Sequence, residues 1–211
     1  MPDFDFDLSG KGWAILGPRR SGKSWLLKDI LDSTDSHLVY DPMREHDGYH
    51  HYRPDDRESK EELNLVIRRM VIPWRIPLFV VDEANKYIEP KPTRLPTGVQ
   101  DLVDFCGHWD ISAGFIARRP VQFHTDIIEL ADYVFFFRNT GVNDHKYLEG
   151  LRKGLGDAVR DLEKYHFVIF SEGDFVIHNP IPEPKHPKHT GRRENGSNNS
   201  PNGERGEPKP V

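Results

Sequence analysis

The chain has 211 residues, of which 30% are charged, and its formal net charge is −5. This length suits one α/β domain, and the negative balance excludes a protein that coats nucleic acid by overall basicity, since the chain as a whole would repel phosphate. A single cysteine rules out an intramolecular disulfide, and no apolar run approaches the roughly 20 residues of a spanning helix, so we expect a soluble protein that is not transmembrane.

Short apolar runs alternate with amphipathic stretches along the chain, which predicts an α/β fold on a mostly parallel sheet flanked by helices. Strands are predicted at residues 12–16, 37–40, 77–81, 111–117 and 133–138, and a C-terminal β-hairpin at 167–170 and 175–178. Helices are predicted at 22–32, 59–70, 99–109 and 126–131, and over 144–165, where glycines favour a break into two. Residues 42–54 are predicted to be an irregular polar loop.

The composition changes at residue 181, where Pro, Gly, Asn, Ser and charged residues become dominant. Such a segment cannot bury enough apolar surface to order itself. We therefore expect one folded domain over residues 1–180 and a disordered tail over 181–211.

The first predicted strand leads into a sequence that fits G-x-x-x-x-G-K-[ST], the Walker A pattern of P-loop NTPases, at every fixed position. Its members are Gly17, Pro18, Arg19, Arg20, Ser21, Gly22, Lys23 and Ser24. Glycines let backbone N–H groups wrap a polyphosphate, and the helix that follows presents its positive N-terminal end to the anion. Lys23 would neutralise the β- and γ-phosphates and Ser24 would hold Mg²⁺, which predicts a site for MgATP.

The buried strand predicted at 77–81 ends in two carboxylates, Asp82 and Glu83, a Walker B pattern. Ligands of open α/β sheets bind at this end of the strands. We expect Asp82 to hold Mg²⁺ through water, and Glu83 to act as the catalytic base that polarises a water for attack on the γ-phosphate. The second carboxylate favours hydrolysis over transfer to a small acceptor.

Four segments, in this order and spacing, resemble the HerA/FtsK superfamily of DNA-pumping ATPases. Within it the chain resembles the small genome-packaging ATPases of tailless icosahedral viruses with an internal membrane. The segments are the phosphate loop at 17–24, the D-P-x-x-E turn at 41–45, the acidic strand end at 80–83, and residues 115–134 with their Arg-Pro step.

This resemblance implies a RecA-like core of the ASCE type, in which the strand at 111–117 separates the phosphate-loop strand from the strand that ends in Asp82. It further implies a homo-oligomeric ring, a pentamer or a hexamer, with ATP between neighbouring subunits. Double-stranded DNA would occupy the central pore.

Two arginines that follow the strand at 111–117 are further catalytic candidates. The family places Gln before the Arg-Pro step as a sensor of the γ-phosphate, and Arg118 stands there in this chain. A guanidinium aimed at the γ-phosphate stabilises the charge of the transition state, so Arg118 or Arg119 is a candidate sensor, or a finger acting on a neighbouring subunit. Alternatively, both pair with surface carboxylates such as Glu129.

The loop at 85–98 and a group of histidines are candidates for other contacts. Lys86, Lys91 and Arg94 would bind DNA phosphates without reading sequence, or else belong to a solvated connector. The histidines at 46, 50 and 51 invite a metal interpretation, but the sequence offers no obvious fourth ligand.

Taken together, these features predict a DNA-packaging motor that hydrolyses MgATP to translocate viral double-stranded DNA into a preformed capsid. Its partners would be DNA, further copies of itself, and capsid or membrane vertex proteins, and its location the virion or the host cytoplasm. The alternatives are a cellular or plasmid DNA translocase of the same superfamily, a P-loop small-molecule kinase, and a nucleotide-gated assembly factor with little turnover. Glu83 and the lack of an arginine-rich lid argue against the kinase.

Overall fold

The computed structural model describes residues 7–182, in which eight strands form one sheet in the order β3-β2-β4-β5-β1-β6-β7-β8. The strands are β1 (Gly12–Leu16), β2 (His37–Tyr40), β3 (His51–Tyr52), β4 (Leu78–Val81), β5 (Ser112–Ala117), β6 (Tyr133–Phe137), β7 (Phe167–Ser171) and β8 (Asp174–His178). The first six strands run parallel, and the terminal hairpin β7–β8 is antiparallel to β6 and within itself. The predicted fold class and hairpin are confirmed.

Helices cover both faces of this sheet. They are α1 (Lys23–Asp32), α2 (Lys60–Val66), α3 (Ile72–Trp74), α4 (Thr97–Phe105), α5 (Thr125–Leu130), α6 (Val142–Leu151) and α7 (Leu155–Asp161). A π-helical turn, Ile67–Val71, joins α2 to α3, and 3₁₀ turns lie at Ala84–Lys86, Cys106–Trp109 and Pro120–Gln122. No helix among residues 7–182 combines the length and apolar character needed to cross a bilayer.

The central strands are buried on both faces, as near-continuous apolar runs in a parallel sheet require. Every residue of β4 and β5 is buried. The largest core side chain, Trp13 on β1, lies opposite Gly114 on β5, where a Cβ would come within 2.3 Å of the indole. The indole N–H donates to the Ser112 hydroxyl at 2.9 Å, so the glycine and the serine of β5 both accommodate this tryptophan.

The two faces of the sheet are covered unequally. Residues of α1 pack on one face against side chains of β1, β2, β4 and β6, whereas the other face carries α2, the π-helical turn and α4 to α7. The phosphate-loop helix is thus the chief cover of its face.

The predicted order of strands is confirmed, because β5 lies between β1 and β4. The prediction for residues 42–54 was incomplete, since the two-residue strand β3 pairs with the edge of β2 there. The helix predicted at 59–70 begins as expected, with the Ser59 side chain accepting from the Glu62 N–H at 3.1 Å, but its π-helical turn leads on to Trp74. All but two residues of the predicted tail lie outside the described residues.

Candidate active site

Four segments that follow parallel strands meet at one edge of the sheet. The phosphate loop follows β1, Asp41 follows β2, the acidic pair follows β4, and Arg118 follows β5. Because the carboxyl ends of parallel strands share an edge, the predicted residues lie close together although they are far apart in the sequence. They surround a cleft of about 380 Å³. Its lining is Arg19, Arg20, Lys23, Ser24, Leu27, Met43, Glu45, His46, Asp82, Glu83, Ile116, Ala117 and Arg118.

The phosphate loop has a conformation that its glycines permit. Gly22 has φ of 115°, in the left-handed region that other residues rarely adopt, and α1 begins at the next residue. A Cβ on Gly17 would come within 2.6 Å of the Phe137 Cβ, and a Cβ on Gly22 would come within 2.9 Å of the Phe137 ring. The loop therefore packs directly on Phe137 at the end of β6. Side chains at positions 17 and 22 would displace the loop from this strand.

Lys23 lies at the first position of α1 and faces the acidic pair across the cleft. Its Nζ donates to the Pro18 carbonyl oxygen at 2.8 Å. Burial lowers the pKa of Lys23 to about 8, and the carboxylates of Glu83 and Asp82 oppose this decrease. An anionic ligand in the cleft would therefore stabilise the protonated form of Lys23.

Asp82 is oriented by His46, a contact that was not predicted from the sequence. His46 is buried, and its Nε2 lies 3.1 Å from Asp82 Oδ2. Asp41 sets the position of this histidine, because its fully buried carboxylate accepts the N–H groups of Glu45 and His46 at 3.0 and 3.1 Å. The other Asp82 oxygen accepts the Glu83 N–H at 2.9 Å, so both oxygens of Asp82 have fixed partners.

The D-P-x-x-E turn therefore positions His46. The only sign of this in the sequence was that His46 comes directly after the turn. Among the described residues, the three histidines do not form one group that could hold a metal ion. His50 contacts the His37 ring, with centroids 5.3 Å apart, and His51 Nδ1 bonds the Tyr49 carbonyl at 2.8 Å. Among the described residues His46 groups instead with Asp41 and Asp82.

Glu83 has two oxygens in different surroundings. Arg118 donates twice to Oε1, from Nη2 at 2.7 Å and from Nε at 3.2 Å. Oε2 is buried and has no hydrogen-bond partner among the described residues. Glu83 itself has φ of 49°, a left-handed conformation that is uncommon for this residue type and that accompanies the turn from β4 into the cleft.

Arg119 points to a different partner from Arg118. Its Nε and Nη2 lie 2.9 and 2.8 Å from Asp144 Oδ2, and that fully buried carboxylate also accepts the Val121 N–H at 3.2 Å. Arg119 thus fastens the Arg-Pro step to α6. Both arginines pair with carboxylates, as the alternative interpretation expected, but the partners are Glu83 and Asp144 and not Glu129.

The three candidate DNA contacts are spread along the loop after β4. Lys86 Nζ lies 3.7 Å from the Met43 sulfur at the rim of the cleft. Lys91 forms an ion pair with Asp126 at 2.5 Å, and Arg94 is exposed. Lys91 and Arg94 line a second cavity of about 380 Å³, outside the phosphate-loop cleft.

The residues present fit a magnesium ion and a triphosphate. Ser24 and Asp82 both line the cleft and offer the hard oxygen ligands that Mg²⁺ prefers. The glycine-walled loop and Lys23 are suited to a polyphosphate, because backbone N–H groups and a cation converge there. A larger cavity of about 620 Å³ contains no residue of the loop and is lined by both polar and apolar residues, from α1 and from β4, β5 and β6 among others.

Neither a protein-family model nor a curated protein sequence matches the chain. Solved structures do match it. B204, the DNA-packaging ATPase of Sulfolobus Turreted Icosahedral Virus, has a TM-score of 0.74 and 17% identity, over 82% of this chain and 99% of that chain. The genome packaging NTPase B204 of Sulfolobus turreted icosahedral virus 2, in complex with AMPPCP, has a TM-score of 0.70 and 18% identity over the same shares.

VirB4 of Thermoanaerobacter pseudethanolicus is a more distant match, with a TM-score of 0.55 and 10% identity over 82% of this chain and 90% of that chain. At these identities the likeness establishes the fold. The resemblance that the sequence motifs indicated is confirmed at that level: this chain has the fold of the viral genome-packaging NTPase B204.

Proposed function

We propose that this protein is an ATP hydrolase that drives viral double-stranded DNA into a preformed capsid. The observation that carries the proposal is the shared cleft, in which Lys23 and Ser24 lie across from Asp82 and Glu83. A polyphosphate site and a water-activating carboxylate at one sheet edge are what hydrolysis of a nucleoside triphosphate requires.

In the proposed reaction the loop N–H groups and Lys23 hold the phosphates. Ser24 and Asp82 would hold Mg²⁺, which would supply positive charge to neutralise the phosphates. The Glu83 carboxylate accepts a proton from a water as that water attacks the γ-phosphorus. The bond from this phosphorus to the β,γ-bridging oxygen breaks, which gives ADP and phosphate. Arg118 holds Oε1 and orients the carboxylate.

The likeness of fold to B204 supports a packaging role over other uses of ATP hydrolysis. A ring of five or six copies with DNA in its pore belongs to the proposal. Arg19 and Arg20 are exposed on the cleft side of the loop, where a neighbouring subunit or a phosphate would meet them. Capsid or vertex proteins would be the docking partners, and the virion or host cytoplasm the location.

Steady-state hydrolysis of MgATP with and without double-stranded DNA tests this function. We expect phosphate release that DNA of any sequence stimulates and that high salt suppresses, because contacts to phosphate depend on ionic strength. Hydrolysis that DNA leaves unchanged at every salt concentration would contradict a motor role. Nuclease protection of DNA by empty capsids, in the presence of the protein and ATP, separates packaging from other translocation.

A further inference from the structure

We propose that Trp25 and Tyr165 form the subsite for the base of the bound nucleotide. This inference rests on the proposed function, since it concerns the same cleft. The two rings are stacked, with centroids 6.3 Å apart and an angle of 6° between their planes. Trp25 is 45% exposed and Tyr165 is 44% exposed, so this aromatic surface is open to a ligand.

The stacked pair lies next to the phosphate loop. A Cβ on Gly22 would come within 3.5 Å of the Tyr165 Cδ1, and Trp25 is the third residue of α1, directly after Ser24. Tyr165 precedes β7, whose first residue, Phe167, pairs with Phe137 at the end of β6. Because β7 is antiparallel to β6, the start of β7 lies at the same sheet edge as the loop.

The order of strands sets the direction in which a nucleotide must lie. The strand that ends before Glu83, β4, is two places from β1 on one side, and β7 is two places from β1 on the other. The γ-phosphate must face the carboxylate that activates water. The α-phosphate, the sugar and the base therefore extend toward β7, which is the side of Tyr165.

The stacked rings of Trp25 and Tyr165 suit any nucleobase, whatever hydrogen-bonding groups it carries on its edge. Every nucleobase has a π-face, and stacking on an aromatic side chain does not read hydrogen-bonding groups. The Lys164 ammonium lies 4.7 Å from the centroid of the Tyr165 ring, an attraction that helps to hold this ring in place. We therefore expect the subsite to contribute affinity, with a preference for larger purines.

The test compares a nucleotide with a phosphate chain that has no base. Dissociation constants of AMPPCP and of inorganic triphosphate are measured by calorimetry, with MgCl₂, for the wild type and for Trp25→Ala and Tyr165→Asn. Asparagine is chosen because Tyr165 has φ of 68°, which asparagine tolerates. Trp74→Ala is the matched control, since Trp74 is 68% exposed at the end of α3.

Each of the two variants should weaken the affinity for AMPPCP by about 5- to 150-fold, the range for stacking of one base on an aromatic side chain. Inorganic triphosphate should bind all four proteins equally, and Trp25→Phe should retain most of the affinity for AMPPCP. Equal losses for both ligands would show that the pair supports the loop, and unchanged AMPPCP affinity would place the base elsewhere; either result overturns the inference. A wild type that binds neither ligand would refute the proposed function itself.

Discussion

Arg118 and Glu83 form the contact on which the proposed chemistry depends most closely. Both Arg118 donors reach Oε1, whereas Oε2 is buried and has no hydrogen-bond partner among the described residues. The guanidinium is thus engaged within its own chain, which argues for a positioning role over a finger that acts on a neighbour. The size of the effect of its removal separates the two roles.

We expect Arg118→Ala to lower kcat by about 10²-fold, because a misplaced catalytic group costs about that much. Affinity for AMPPCP should be unchanged, since Arg118 does not touch the phosphate loop in the contacts described. Arg118→Lys should restore turnover only in part, because an ammonium cannot make the two-donor contact. A loss of about 10³-fold or more would instead indicate direct contact with the γ-phosphate, and contradict the positioning role.

His46 is the residue expected to determine how firmly Asp82 holds Mg²⁺. Partners that orient a metal ligand typically contribute about 10- to 100-fold in metal affinity. His46→Gln should therefore raise the Mg²⁺ concentration for half-maximal hydrolysis by about that factor, while affinity for metal-free ATP stays the same. The exposed His50 offers a control, and His50→Ala should leave the Mg²⁺ dependence unchanged. Identical Mg²⁺ titrations for His46→Gln and wild type would remove His46 from this role.

At the scale of elements, the candidate functional residues lie on the loops after the strands, and the strands determine where these loops lie. The loop after β4 shows this most clearly, since it begins at the candidate catalytic carboxylate and carries Lys86, Lys91 and Arg94. Lys91 forms an ion pair with Asp126, whereas Arg94 is exposed. Arg94 is therefore the stronger candidate for contact with DNA.

Reversal of these charges should reduce the stimulation of hydrolysis by DNA while the basal rate is retained. We expect a larger loss for Arg94→Glu than for Lys91→Glu, because Asp126 already neutralises Lys91 in part. Arg69→Glu, on the π-helical turn, is the matched control for a change in net charge. Full DNA stimulation in the Lys91→Glu, Arg94→Glu double variant would exclude this loop from the DNA path.

Elements with strong patterns could be predicted from the sequence, and those set by tertiary contacts could not. The apolar runs of β1, β4 and β5 predicted buried strands correctly, because strands covered on both faces lack polar residues. The two-residue strand β3 has no such run and forms only because the edge of β2 is available to it. The continuation of the helix from α2 past the π-helical turn is likewise a property of packing.

At the scale of the whole molecule, the family resemblance of the motifs predicted that one strand separates β1 from β4, and β5 lies there. The two anchors of the candidate site, 59 residues apart from Lys23 to Asp82 by their numbers, meet because β1 and β4 are separated by one strand. The partners of individual side chains could not be predicted, as Arg118 and Arg119 show. Sequence spacing gives the position of an arginine at the sheet edge, but not the carboxylate that its guanidinium reaches.

The central claim is that Glu83 activates water for a triphosphate held by the loop at the other side of the same cleft. Its most direct test is Glu83→Gln, which keeps the shape of the side chain and removes the base. The account predicts AMPPCP affinity equal to that of the wild type and a fall in ATP turnover of about 10²- to 10⁴-fold. Undiminished turnover, or a loss of binding as large as the loss of turnover, would contradict it.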